Sequence, residues 1–443
     1  MADTAVKTPE TKVKKKKGKK ALKVIGIILA VIIAAVGVCT IISSVGNKAN
    51  MELALSFEPT AYEEQLVPEK DADGSWCFTT DRDFKVIQLT DVHLGGGFMS
   101  LAKDASALTA VATILQTEKP DLVIVTGDVA YPVPFQAGTF NNGTGAKLFA
   151  NLMDELGIYW TLGFGNHDTE AYSYYGRDDI SDYYANSGFK YCLFSAGPED
   201  IDGYGNQVIK VKNSLGVITQ ALIVLDSHSY TDGDYFGIQW KYDNIHENQI
   251  EWYKQQIASM SEENVKAIAQ IGDAAKKAEL KSLETVPSML FFHIPLTEFK
   301  DAWDEFAANG YQDTENVKYI SGIVGETGKA IYCGIGEDDL FETITELGST
   351  KAVFCGHDHF NNFSVNYKGI DLVYGNSIDY LAYIGINKKG SQRGSTCITL
   401  APDGTYTVDK YNLYTSGRYE LPAGFADDIS MQFENVTFQN LEE

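Results

Sequence analysis

Five apolar runs in this chain end in residue types that bind metal ions, and this pattern constrains the fold more than any other feature. FKVIQLTD leads to Asp91-Val92-His93, and DLVIVTGD ends in Gly127-Asp128. IYWTLGFGNHD ends in Gly165-Asn166-His167-Asp168, SMLFFHIP contains His293, and KAVFCGHDH ends in Gly356-His357-Asp358-His359. The chain has seven histidines, and five belong to this set. Between the first runs lie helical stretches, with Leu101, Leu108, Val111 and Leu115 falling on one side. The order β-α-β-α-β predicts a layered α/β fold with helices on the sheet faces. In such sheets the carboxyl ends of the strands point at the ligand crevice, so all five groups are expected to converge.

Singly, each piece says little: a lone Gly-Asp is usually a turn, and a lone Asp-x-His is usually a loop acid near a surface histidine. The ordered set says more, because it has the composition a dinuclear centre needs. Two cations about 3.5–4 Å apart must share a ligand, and a carboxylate can bridge them. Imidazoles and an amide oxygen add neutral donors, so the site keeps positive charge for a phosphate dianion and for acidifying a water. The glycines allow sharp turns and close backbone approach.

The order D-x-H, G-D, G-N-H-D, H, G-H-x-H resembles the calcineurin-like metallophosphoesterase superfamily, from Phe84 to about Ala382. Gly127-Asp128-Val129-Ala130-Tyr131 matches the G-D-x-x-Y of purple acid phosphatases. FFHIPLTEF, GHDHFNNF and YKGIDLVYG are similar to the purple-acid-phosphatase-like branch of plants, fungi and bacteria. The resemblance implies a four-layer α/β/β/α sandwich and a centre of two divalent or trivalent ions. It assigns Asp91, His93 and His359 to one metal, Asn166, His293 and His357 to the other, and Asp128 to both. It makes His167 the unbound proton donor and Asp168 the residue that orients it, with a hydroxide held between the metals attacking phosphorus. One departure stands out. Purple acid phosphatases carry D-x-G at the first motif and bind metal through the tyrosine, whereas this chain has His93 as well as Tyr131. Tyr131 is then either a ligand or a residue packed beside the metals. Nitrogen and oxygen donors do not select among Fe, Zn and Mn.

Three residues are candidates for contact with substrate. Tyr131 is one. Arg177, within an aromatic-rich segment (169–191), could grip a phosphate. His228, near a strand end, could line the pocket or be a hydrogen-bonded structural residue. The expected substrate is a phosphorylated small molecule or surface group, with a phosphodiester or nucleotide pyrophosphate as the alternative. A non-catalytic sensing protein that keeps the metal fold is the reading from another class.

The net charge of -24 argues against a nucleic-acid-binding module, which needs a basic surface. Charge is divided unevenly, since residues 1–23 hold nine lysines against Asp3 and Glu10. From Val24 to Val45 follows an uncharged, apolar run long enough to span a membrane. It exceeds the usual h-region of a cleaved signal, and the lysines before it place the N-terminus in the cytoplasm. The expected organisation is a basic tail (1–23), a transmembrane signal anchor (24–46), a linker and entry strand (47–83), a metallophosphoesterase domain (84–415) and an acidic C-terminal tail (416–443). The catalytic domain is thus expected outside the cell membrane. Six scattered cysteines with no C-x-x-C pair indicate mostly free thiols.

Overall fold

The computed structural model describes Ala2, Thr4 and residues 11–231, 233–336 and 338–431. In chain order the first elements are α1 (Thr11–Ala54), β1 (Glu69–Lys70), β2 (Trp76–Thr79), β3 (Phe84–Leu89), α2 (Leu101–Glu118), β4 (Leu122–Thr126), α3 (Asn142–Leu156) and β5 (Trp160–Gly163). There follow α4 (Arg177–Asn186), β6 (Gln207–Lys212), β7 (Ile218–Val224), α5 (Glu247–Gln270), α6 (Ala274–Glu279), β8 (Ser288–Phe291) and α7 (Thr297–Ala308). The last are β9 (Val317–Ser321), α8 (Leu340–Leu347), β10 (Thr350–Cys355), β11 (Ser364–Tyr367), β12 (Ile370–Tyr374), β13 (Gly394–Leu400) and β14 (Tyr406–Asn412).

Two sheets pack face to face. One has the order β1-β2-β6-β7-β8-β10-β12-β11-β9, the other β14-β13-β3-β4-β5. The strands that lead to the candidate ligands lie in parallel runs, β7-β8-β10-β12 in the larger sheet and β3-β4-β5 in the smaller. Their runs are continuously apolar because both faces are buried. Side chains alternate between the two cores. Val86, Leu122, Ile124, Met289, Phe291 and Phe354 meet between the sheets. Ile87, Leu89, Val123 and Val125 face the other way, onto α1, α2 and α3. Leu290, Phe292 and Val353 pack under α5, α7 and α8. This is the four-layer α/β/β/α sandwich expected from the resemblance.

The ends of the chain differ from their expected organisation. The apolar segment is one exposed helix from Lys20 that continues to Ala54, so the residues expected to begin a linker are helical. Its apolar length of 22 residues rises about 33 Å, enough for a hydrocarbon core of about 30 Å. At the other end, residues 416–431 are mostly exposed but tied to the body at a few points. Arg418 Nε pairs with the buried Glu118 at 2.9 Å, and Leu421 and Phe425 rest on the helical core. Most of the basic tail before residue 11, and residues 432–443 of the acidic tail, lie outside the described residues.

Phe291 and Phe354 stack across adjacent strands with centroids 4.8 Å apart, both fully buried. Phe291→Ala is expected to lower stability by about 3–5 kcal/mol, read by denaturant unfolding.

Candidate metal centre

The loops after β3, β4, β5, β8 and β10 meet at one edge of the sandwich and bring seven predicted ligands together. Asp91, His93, Asp128 and His359 each offer an atom within 4.8 Å of the others, all buried. His93 Nε2 lies 3.0 Å from Asp128 Oδ2, and His359 Nε2 lies 3.6 Å from Asp91 Oδ1. Beside them, His293 Nε2 is 3.1 Å from Asn166 Oδ1 and 3.3 Å from His357 Nδ1. The same His293 nitrogen is 3.2 Å from Asp128 Oδ2. One carboxylate oxygen of Asp128 therefore faces both groups.

The backbone is bent to achieve this. Asp91 (φ 52°), His93 (φ 53°), Asp128 (φ 56°) and His357 (φ 77°) all lie in the left-handed region. Such residues carry strain of order 1–3 kcal/mol each and persist only where their surroundings hold them. Here the first two loops are laced together: Asp91 N donates to Gly127 O, His93 N to Asp128 O, and Leu94 N to Val129 O. Gly127 has φ 86°, and a Cβ there would stand 2.6 Å from His293 Nδ1, so no larger residue fits.

Neighbouring groups fix each ligand's donor atom. The His293 Nδ1 proton goes to Thr126 O at 2.8 Å, leaving Nε2 for a metal. Asn166 Nδ2 donates to Tyr230 Oη at 2.9 Å, which turns its Oδ1 into the centre. Asp379 lies between the two histidines of the first group, its Oδ1 3.2 Å from His93 Nδ1 and its Oδ2 3.0 Å from His359 Nδ1. Both imidazoles thereby present Nε2.

Electrostatics couple the two groups. Burial would raise the Asp128 pKa, but the imidazoles of His293, His167 and His93 hold it well below the usual carboxylate range. Burial opposes a charged His293, yet Asp128 and Asp91 lift it to about 9. Burial and the neighbouring His293 push His357 well below the usual histidine range. Metal binding needs neutral imidazoles, so a cation entering this cluster competes with protons for the same nitrogens. Among the described residues nothing donates a hydrogen bond to the buried Asp91 Oδ1. That orphaned oxygen, within a donor set of carboxylate, imidazole and amide oxygen, fits a cluster made for two metal ions.

Several predicted roles need correction. Asp168 does not orient His167. It is buried and accepts from Asp128 N, Gly165 N and Ala130 N, tying the second and third loops together. Glu170 orients His167 instead, its Oε1 lying 2.7 Å from His167 Nδ1. Arg177 is not free to grip a phosphate, because its guanidinium is spent on Asp226, Gly165 O, Ser229 and Thr169. His228 turns away from the cleft, bonded to Gln249 Oε1 and stacked on His246. Tyr131 does line the cleft, its ring 4.7 Å from both His93 and His167.

Residue reading missed Glu170, Asp379, Tyr230 and Arg393. The fully buried Arg393 donates to Ile378 O, Asp379 O and Ile386 O, and so shapes the loop that carries Asp379. Glu170 could have been found from its spacing, three residues after His167. Asp379 follows a strand, as the ligands do, but no histidine or glycine-aspartate pair marks it.

A model of the calcineurin-like phosphoesterase family matches residues 84–361, more than half of the chain. The chain belongs to this family. Among its relatives is "Probable inactive purple acid phosphatase 28" of Arabidopsis thaliana, 24% identical over 69% of this chain and 73% of that protein. "Probable inactive purple acid phosphatase 14" of the same plant is 28% identical over the same shares. "Phosphatase DCR2" of Saccharomyces cerevisiae is 27% identical over 64% of this chain and 45% of its own length.

Replacing a carboxylate that orients ligating histidines typically costs 10–100-fold in metal affinity. Asp379→Asn is expected to weaken metal binding by about that factor, measured by titrating the metal-free protein. Unchanged affinity would show that Asp379 does not support the ligands.

Proposed function

We propose that this chain is a membrane-anchored, extracytoplasmic phosphoesterase with a dinuclear metal centre, acting on phosphate monoesters. The observation that carries this reading is Asp128 Oδ2, within 3.2 Å of imidazoles from both ligand groups. Asp91, His93 and His359 would hold one ion, and Asn166, His293 and His357 the other, with Asp128 shared. Two ions drawn from Fe, Zn and Mn would supply Lewis-acid polarisation of the phosphoryl oxygens and acidify a water.

The chain's own groups do the rest. His167 is partly exposed at the cleft, with Glu170 on Nδ1, so its Nε2 is left to carry a proton to the leaving oxygen. Tyr230 Oη accepts from Asn166 and donates to Glu170 Oε1 at 3.2 Å, linking a metal ligand to the proton donor. Tyr131 packs beside His93 and His167 and limits their rotation. The lysines ahead of the apolar run support a cytoplasmic N-terminus and an exported body.

A sensing role without turnover is the second reading, favoured by the word "inactive" in the names of two relatives. The full donor set and an oriented His167 favour turnover here. Phosphodiesters remain the alternative substrate on the same centre.

A monoester and a diester assayed side by side test the proposal, with the monoester expected to be the better substrate. His167→Ala should slow alkyl phosphate hydrolysis by about 10²–10⁴-fold. It should slow p-nitrophenyl phosphate much less, since that leaving group needs no proton. An equal effect on both would remove His167 as the donor, and no hydrolysis by the metal-loaded protein would favour sensing.

A further inference from the structure

We propose that the metal-bearing face of the body lies against the bilayer that α1 crosses, and that the cleft takes a lipid phosphate monoester from it. This rests on the phosphoesterase and anchor readings above and adds an orientation and a substrate class.

The direction of α1 carries the argument. Below residue 54 the chain is fastened to the end of the body far from the metals. Glu58 O accepts from Gln116 Nε2, Thr60 N donates to Leu156 O, and Tyr62 Oη donates to Pro120 O. Those partners sit at the C-terminal ends of α2 and α3, just before β4 and β5 begin. Higher up, Asn50 Nδ2 donates to Leu101 O at 3.0 Å and Asn47 Nδ2 to Gly96 O at 2.6 Å. Gly46 sits directly against the Leu101 side chain, where an added Cβ would stand 2.2 Å from its Cδ1. Leu101 opens α2, and Gly96 is three residues past His93, hence within about 11 Å of it. The helix therefore leaves the body on the metal side, and its apolar span begins there. Because it is continuous from Lys20 to Ala54, no flexible tether intervenes to let the body turn over.

The loops on this side suit a membrane surface. Phe135 is 88% exposed and Ile384 fully exposed, and Tyr174, Phe236, Ile238 and Trp240 also stand in solvent. They belong to loops after β4, β5, β7 and β12, the strand ends that bear the metals or border them. Aromatic and aliphatic side chains of this kind settle at a lipid interface.

The cleft itself suits one phosphate on an apolar body. It encloses about 810 Å³ and is lined by Tyr172, Tyr230, Trp240, Tyr332 and Tyr383 beside the metal ligands. Among the described residues, Lys389 is the one cationic side chain other than histidine in the lining, against Glu170, Glu326 and Asp358. All four arginines are engaged elsewhere, on Asp121, Asp226, Glu118 and the carbonyls around Asp379. Among the described residues Lys389 and the histidines are then the only cationic side chains at the cleft besides the metal pair, which disfavours polyphosphates and nucleotides with several charges. In the reaction, water adds to phosphorus and the bond from phosphorus to the lipid oxygen breaks. That oxygen takes its proton from His167, which regains one from the water, and inorganic phosphate leaves.

The test uses full-length, metal-loaded protein in phosphatidylcholine vesicles. Phosphatidate in the vesicles and free glycerol 3-phosphate are offered at equal bulk concentration, with p-nitrophenyl phosphate as the reference. Phosphatidate is expected to release phosphate at least tenfold faster than glycerol 3-phosphate. Phe135→Asp with Ile238→Asp should cut that preference by about tenfold while leaving p-nitrophenyl phosphate turnover unchanged. A nitroxide on Ile384→Cys should be shielded by lipid, and one on Leu215→Cys, in the β6–β7 turn at the opposite end, should stay in water. These labels are placed after the partly buried Cys39, Cys192 and Cys333 are changed to Ser. The labels report orientation even if no ester is cleaved, so failure of the catalytic reading is separable, and release of the protein by carbonate washing would overturn the anchor. p-Nitrophenyl phosphate turnover without a phosphatidate preference, or both labels equally wet, would overturn this proposal alone.

Discussion

The site depends on one buried carboxylate oxygen. Asp128 Oδ2 lies 3.0 Å from His93 Nε2 and 3.2 Å from His293 Nε2, and those histidines belong to different sheets. His93 follows β3 in the smaller sheet, and His293 follows β8 in the larger. For both to reach the same atom, the two sheets must meet along their carboxyl edges at a fixed spacing. The apolar layer between them, with Phe291 and Phe354 at its middle, sets that spacing. The left-handed residues Asp91, His93, Asp128 and His357 are held in place by the same rigid frame.

Second to this contact comes a ring of supports that gives each ligand one usable atom. Thr126 O takes the far nitrogen of His293, Asp379 takes those of His93 and His359, and Asp168 binds the amides under Asp128. Asp379 depends in turn on Arg393, which is buried, has no carboxylate partner among the described residues and spends donors on loop carbonyls. A buried cation held this way bends the 378–389 loop around itself.

Residue order made the sandwich and the metal ligands legible because both follow from short local signals. An apolar run marks a strand, and a metal-binding residue at its end marks the edge where ligands gather. The supports were harder to see, since their roles depend on contacts far along the chain. Asp168 looked like a partner for its neighbour His167, but its carboxylate is aimed at backbone amides 38 and 40 residues away. Arg177 looked free because Asp226, its partner, lies 49 residues on. The course of α1 was hidden for a related reason. Polar residues such as Asn47 and Asn50 read as the start of a linker, whereas they bond the helix to the loop beyond His93.

The most direct test of the centre is a metal count on the purified full-length protein and on Asp128→Asn. The account predicts about two ions per chain in the native protein. It predicts that the substitution brings the count below two and abolishes phosphoester hydrolysis together. Two ions retained in Asp128→Asn, or a native protein that never takes up more than one, would contradict it.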